Sequence, residues 1–359
     1  MKKVQLVFLT LFLMLGVNAM AQQKIRLTST DGSKCEKSDM KSLKAKFSFS
    51  TLEAQDYKCK EGDFSTLSLA NTVVGGNEGD PQIPVVNKVI AIPVGAKPRI
   101  EIKSFTTADY KLDDYGIKTL VPRQPSLRKD QKAEDVPFVY NKDFYKKGGL
   151  NSSPKAVVSV EGTMRGIRVG KMTIEPVSYD PINNTIRVFN DIEVEVSFDG
   201  ANAKATEDML LKTYSPYFNI VYAQMFNGNA AKDAYSEHPD LYNTPVKMMI
   251  ITTPTYANNE VFQEWVNWKK QKGFYTTVYT TAQTGTTAAS IKSFIRNKYN
   301  EDAPTFVIIV GDTNDVTYSL SSSTTSKVTD LYYSTTQDSD LWPEMFLSRM
   351  PVSSTTELE

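Results

Sequence analysis

The chain has 359 residues, more than one ordinary domain needs and about right for two. Lysine plus arginine equals aspartate plus glutamate at 41 each, so net charge offers no electrostatic footing for nucleic acid or an anionic membrane surface. One histidine and two cysteines narrow the thiol and zinc chemistry these residues can assemble.

The N-terminus reads as an export signal over residues 1–21. Lys2-Lys3 precede a nearly unbroken apolar stretch, Val4–Val17, shorter than the ~20 residues of a spanning helix. Ala19-Met20-Ala21 has the small-x-small form of a cleavage site, which predicts a secreted or cell-surface product cut near Ala21. No other stretch is apolar enough to span a bilayer. Cys35 and Cys59 are open to two readings, one disulfide or two separate thiols. Residues 22–65 are rich in Lys, Ser and Asp and weakly patterned, and no element is assigned there.

From Leu67 the chain reads as all-β. The turn cluster Gly75–Pro81 leads into Gln82–Pro93, a strand bounded by prolines. Arg99–Phe105 alternates apolar and polar residues, as a half-exposed strand does. Val121–Val136 is charged and broken by proline, a surface loop carrying Arg123, Arg128 and Lys129. Short strands follow at Val157–Val160, Ile167–Val169 and Lys171–Pro176. Asn183-Asn184 predicts a hairpin turn between Val177–Tyr179 and Thr185–Phe189, because Asn tolerates positive φ. Ile192–Phe198 alternates strictly. Many short strands with frequent turns predict an all-β sandwich over residues 22–225. Glu207–Phe226 is helical or irregular, and residues 226–245, with Gly228, Pro239 and Pro245, form a linker.

After Pro245 the period changes. Lys247–Thr253 is an apolar strand. Asn258–Lys272 places Val261, Phe262, Trp265, Val266 and Lys269 on one helical face, with Gly273 as its stop. Tyr275–Tyr279 is strand-like, and Ala289–Tyr299 carries Ile291, Phe294, Ile295 and Tyr299 on one stripe. Phe306–Val310 is apolar without alternation, the mark of a strand buried on both faces. The β-α-β-α-β order predicts a parallel sheet over 246–359. Glu344–Leu347 is a further strand candidate, and Thr355–Glu359 looks like the start of a helix.

Chemistry has few carriers. Residues 246–359 contain neither cysteine nor histidine, and His238 falls in the linker. Gly-x-Ser-x-Gly, a glycine-rich phosphate loop and zinc spacings are all missing. What remains is a set of acidic residues near the expected C-terminal rim of the sheet: Asp312, Asp315, Asp330, Asp338, Asp340 and Glu344. Hard oxygen donors of this kind suit calcium, and equally suit solvated loops.

The chain resembles the gingipain family of secreted cysteine peptidases, family C25, together with its propeptide. The first half carries Gly79–Val85 with Ile90–Ala96, Gly166–Val169 through Pro176, Tyr179-Asp180-Pro181 and the Ile192–Phe198 strand. The second half carries Phe262–Gly273, Val310-Gly311-Asp312 with Asp315, Thr329–Tyr333, and Pro343-Glu344 running into Ser348-Arg349. The resemblance implies an all-β propeptide that assists folding and blocks its own or a related peptidase domain, followed by a partial α/β, caspase-like parallel-sheet domain over 246–359. It implies calcium at Asp312, Asp315, Asp330 and Glu344, protein substrates for the full-length enzyme, and Arg128-Lys129 as an inhibitory element. Ser348 departs from the family's usual glycine. The family's catalytic histidine and cysteine lie beyond the last residue here, so no catalytic residue is carried over. The expectation is a precursor with an incomplete peptidase domain, either a fragment or an inactive paralogue. The rival reading is a non-catalytic exported inhibitor, binding or surface protein using the β-sandwich.

Overall fold

A computed structural model describes residues 22–228, 241, 244–320, 328–336 and 340–358. The export segment, His238, Asp338 and most of the expected linker lie outside the described residues. The stretch with no element assigned from sequence holds five strands: β1 (Gln22–Arg26), β2 (Gly32–Ser38), β3 (Ser42–Ser48), β4 (Thr51–Cys59) and β5 (Gly62–Leu69). On β3 the side chains of Leu43, Ala45 and Phe47 point inward between Lys44 and Lys46, a period of two muted by the small alanine. Cys35 on β2 and Cys59 at the end of β4 are both free thiols, each half-buried.

Next come β6 (Val73–Gly75), β7 (Ile83–Ile92), β8 (Lys97–Lys111), β9 (Lys155–Met164), β10 (Ile167–Glu175), β11 (Val177–Asp180) and β12 (Thr185–Asp199). All pair antiparallel, in sheets ordered β1-β4-β5, β6-β7-β10-β9 and β11-β12-β3-β2, with β8 also on β12. One apolar core spans them, including Leu43, Phe47, Leu52, Ile90, Met172, Ile174, Phe189 and Val196. The Asn183-Asn184 turn forms as expected: Asn184 takes φ 43°, and the Asp180 carboxylate accepts from the Ile182 and Asn183 amides. The two strands expected after it are one. β12 runs on through a bulge at Asn190–Glu193, where the Asn190 side chain satisfies both the N–H and the C=O of Phe49. Residues 121–136 form a loop over the surface, as predicted, with Arg128 paired to Asp130 and both exposed.

A helical connector follows. Asn202 caps α1 (Ala203–Lys212), and short helical turns cover Pro216–Phe218 and Asn219–Tyr222. Leu210, Phe218, Tyr222 and Met225 pack on Met164, Ile167 and Val169 of the β9–β10 hairpin.

The α/β part comprises β13 (Val246–Thr252), α2 (Glu260–Gln271), β14 (Phe274–Thr280), α3 (Ala288–Asp302), β15 (Phe306–Val310), the two-residue strands β16 (Ser319–Leu320) and β17 (Val328–Thr329), and β18 (Phe346–Met350). The main sheet is parallel, ordered β14-β13-β15-β18, with Phe306 opposite both Met248 and Phe346. Ile291, Ile295 and Tyr299 of α3 cover one face with Ile251, Val307 and Ile309. Phe262 and Val266 of α2 cover the other with Met248, Ile250 and Val310. Burial on both faces is why β15 reads as unbroken apolar sequence. Asn259 caps α2, and a reciprocal Thr287–Ser290 pair caps α3.

Candidate functional site

In open α/β sheets ligands collect outside the carboxyl ends of the strands. Here that rim is built by the loop after β15. Gly311 takes φ 132°, and a Cβ on it would meet the Asp315 Cβ at 2.8 Å. Asp312 turns back on its own loop: its Oδ1 accepts the Asn314 amide at 2.7 Å and the Asp315 amide at 3.1 Å. The Asn314 amide leads in holding that carboxyl below its usual range. The Asp315 Oδ2 accepts the Tyr256 hydroxyl at 2.9 Å. Burial first, and then this carboxylate, push Tyr256 up to about 12.

Arg349, on β18, clamps the rim. Its Nε and Nη2 each donate to Asp330 at 2.7 Å, a bidentate pair. Its Nη1 donates to the carbonyls of Gly311 and Asp312, both at 3.0 Å, and of Val316 at 2.8 Å. In the sequence Arg349 stands out only as part of a family mark. Its role needs the parallel register, which sets Arg349 beside Ile309 and so under the loop.

Glu344 lies elsewhere. It precedes β18, so it sits at the amino edge of the sheet, whereas Asp312 follows β15 at the carboxyl edge. It is buried. Its Oε2 accepts the Thr336 amide at 2.5 Å, and its Oε1 has no hydrogen-bond partner among the described residues. Burial, the leading cause, pushes its carboxyl up to about 7. Nearby Asp340 accepts the amides of Thr163 and Trp342, both at 3.0 Å, tying this segment to β9. Asp312, Asp315 and Asp330 therefore gather around the Arg349 clamp and Glu344 stands apart. Among the described residues no three or more His, Cys, Asp or Glu side chains are grouped to hold a metal.

The amino edge is aromatic. Phe274, Phe306 and Phe346 open β14, β15 and β18, with Phe306 centred 5.9 Å from Phe274 and 5.6 Å from Phe346. The connector seals them: Tyr217 lies 5.0 Å from Phe306, and Phe218 lies 4.5 Å from Phe346.

An antiparallel β leader, docked through a helical connector on the amino edge of a parallel α/β sheet, has the two-part layout of a precursor. The C25 propeptide family (Propeptide_C25) matches residues 28–222, and Peptidase family C25 matches residues 241–359. Lys-gingipain of Porphyromonas gingivalis is 44% identical over 354 residues, covering 96% of this chain and 20% of that protein. Gingipain R2 of the same organism is 21% identical over 320 residues, covering 88% of this chain and 42% of that protein. A solved structure described as bearing on the zymogenic latency of gingipain K from Porphyromonas gingivalis is 41% identical, covers 50% of this chain and 100% of that one, and overlays with a TM-score of 0.48. The chain belongs to peptidase family C25. It joins a gingipain-like propeptide to part of a C25 peptidase domain, and it spans about a fifth of the length of the Lys-gingipains it matches.

Proposed function

We propose that the whole protein is a secreted cysteine endopeptidase made as a latent precursor, with residues 22–225 folding against the peptidase domain and holding it inactive. The observation that carries this is the succession of the two C25 matches, 28–222 and then 241–359, in one chain. The only cysteines, Cys35 and Cys59, lie on β2 and β4 of the leader, away from the rim of the parallel sheet. Residues 22–359 alone therefore show no thiol-dependent cleavage in a peptidase assay, and measurable cleavage would refute this assignment. Added to the Lys-gingipain of Porphyromonas gingivalis, the same chain inhibits it. Exposure of the 121–136 loop favours Arg128 and Lys129 as the inhibitory contact. Arg128→Ala with Lys129→Ala then weakens inhibition at least about tenfold, the loss of about one charged hydrogen-bonded contact; unchanged inhibition removes the loop from this role.

Export is supported by Lys2-Lys3, the apolar run and Ala19-Met20-Ala21, and N-terminal sequencing of the exported product checks it. No helix among the described residues is long and apolar enough to cross a membrane.

For calcium, the four expected carboxylates fit unequally. Asp330 has both oxygens engaged by Arg349, and Asp312 and Asp315 accept bonds from within their own loop and from Tyr256. Glu344 offers a buried oxygen with no hydrogen-bond partner among the described residues, the feature that favours a cation there. A bound calcium would supply the positive counter-charge for that buried carboxylate. Calcium then raises the unfolding temperature of the chain, Glu344→Gln abolishes that rise, and Asp312→Asn leaves it in place.

A further inference from the structure

Arg165 and Gly166 form the two-residue tip of the β9–β10 hairpin, between the paired Met164 and Ile167. Both take positive φ, 42° and 82°. Tips of this kind ordinarily carry Asn or Gly and face water. Here the first position is an arginine with 0% exposure, the largest fully buried side chain among the described residues. Gly166 is compelled, because a Cβ would lie 2.3 Å from the Thr213 Oγ1. The connector pins the tip in this shape: Tyr222 and Thr213 donate their hydroxyls to the Arg165 carbonyl at 2.8 Å and 3.2 Å.

From that tip the guanidinium crosses into the α/β part. Its Nη1 donates to the carbonyls of Pro304 and Glu344, both at 2.9 Å. Its Nη2 donates to the carbonyl of Ala303 at 2.8 Å and to the Thr305 Oγ1 at 3.2 Å. The Phe218 ring lies 4.9 Å away and the Tyr299 ring 6.0 Å. Ala303 is the left-handed cap that ends α3, so the cation meets the negative end of a fifteen-residue helix. Ala303–Thr305 lead into β15 and Glu344 leads toward β18. One side chain of the leader therefore ties together the starts of two neighbouring strands of the peptidase sheet.

We infer that Arg165 is the anchor by which the propeptide holds the peptidase sheet, gripping it at the edge opposite its ligand-collecting rim, so that attachment and blocking are carried by separate surfaces. A residue in a sparsely populated backbone conformation, fully buried and spent on another unit's main chain, is over-determined by that contact. The carbonyls it satisfies belong to buried residues, so loss of the donor leaves them short of a partner. The inference rests on the precursor reading only for the names of its two parts; the test below reads attachment and not activity, so a failed inhibition assay does not touch it.

The test uses the full chain, 22–359, with a specific protease site placed within residues 229–240. After cutting, the wild-type halves co-elute in gel filtration, whereas the halves of Arg165→Met separate, and Arg165→Lys, which keeps the charge but not the fork, is intermediate. In uncut Arg165→Met, hydrogen exchange at residues 299–310 and 343–350 speeds up about 100-fold while 83–92 and 185–199 keep their protection. Should Arg165→Met fail to fold, Thr305→Val, which removes one acceptor, gives the same pattern at about tenfold. Halves of the variant that co-elute like wild type, or faster exchange confined to 155–175, would overturn the inference.

Discussion

The two edges of the parallel sheet each rely on one arginine, and they use it differently. At the carboxyl rim Arg349 satisfies the carbonyls of Gly311, Asp312 and Val316 and balances its charge on Asp330, all within the α/β part. At the amino edge Arg165 satisfies the carbonyls of Ala303, Pro304 and Glu344, but it arrives from the leader. The rim is closed by its own sequence. The amino edge is completed by a different domain. A propeptide built this way is a missing piece of the peptidase's packing, and its removal uncovers the amino edge while leaving the rim loop intact.

Arg165→Met has the largest effect on the amino edge. It leaves the buried carbonyls of Ala303, Pro304 and Glu344 without this donor and costs about 3–5 kcal/mol in denaturant unfolding; a loss below about 1 kcal/mol would show that the amino edge does not rely on this side chain. Next comes pH. Burial pushes the Glu344 carboxyl from its ordinary 4.5 up to about 7, so the folded state holds an extra proton between those values. Its contribution is fully present below pH 4.5 and is lost as pH rises through about 7, up to about 3 kcal/mol. Glu344→Gln flattens that slope, measured as unfolding free energy from pH 4 to 8. Arg349→Met costs about 2–3 kcal/mol and loosens the 311–317 loop without uncoupling the domains. Tyr222→Phe removes one hydroxyl bond to the Arg165 carbonyl and costs about 1 kcal/mol. Arg128→Ala, in an exposed pair, leaves the unfolding midpoint unchanged.

The sequence made some of this legible for physical reasons. Phe306–Val310 and Val246–Thr252 are buried on both faces, and unbroken apolar runs announce that directly. The capped helices and the Asn183-Asn184 turn were equally readable, because their signals are local. The strands of residues 22–69 were hidden: Leu43, Ala45 and Phe47 alternate, but the surrounding lysines and serines dilute the pattern. The site was less legible still. Asp312, Asp315, Asp330 and Glu344 look alike in sequence, and only the register of β18 against β15 divides them between opposite edges. Arg165 was invisible for the same reason, since Arg-Gly between two strands reads as an ordinary solvent-facing turn. Its acceptors lie more than a hundred residues away.

If the leader completes the peptidase sheet, the placement of the tryptophans lets unfolding show it. All three tryptophans lie in the α/β part, Trp265 and Trp268 on α2 and Trp342 packed against the β9–β10 hairpin and connector, so their fluorescence follows that part and its contact with the leader, while far-UV circular dichroism is weighted toward the larger β domain. Urea unfolding of wild type and Arg165→Met should be followed by both signals. The wild type then shows coincident transitions, and the variant a fluorescence transition at lower urea than the dichroism transition. Transitions that stay coincident in the variant at an unshifted midpoint would mean that the sheet stands without Arg165.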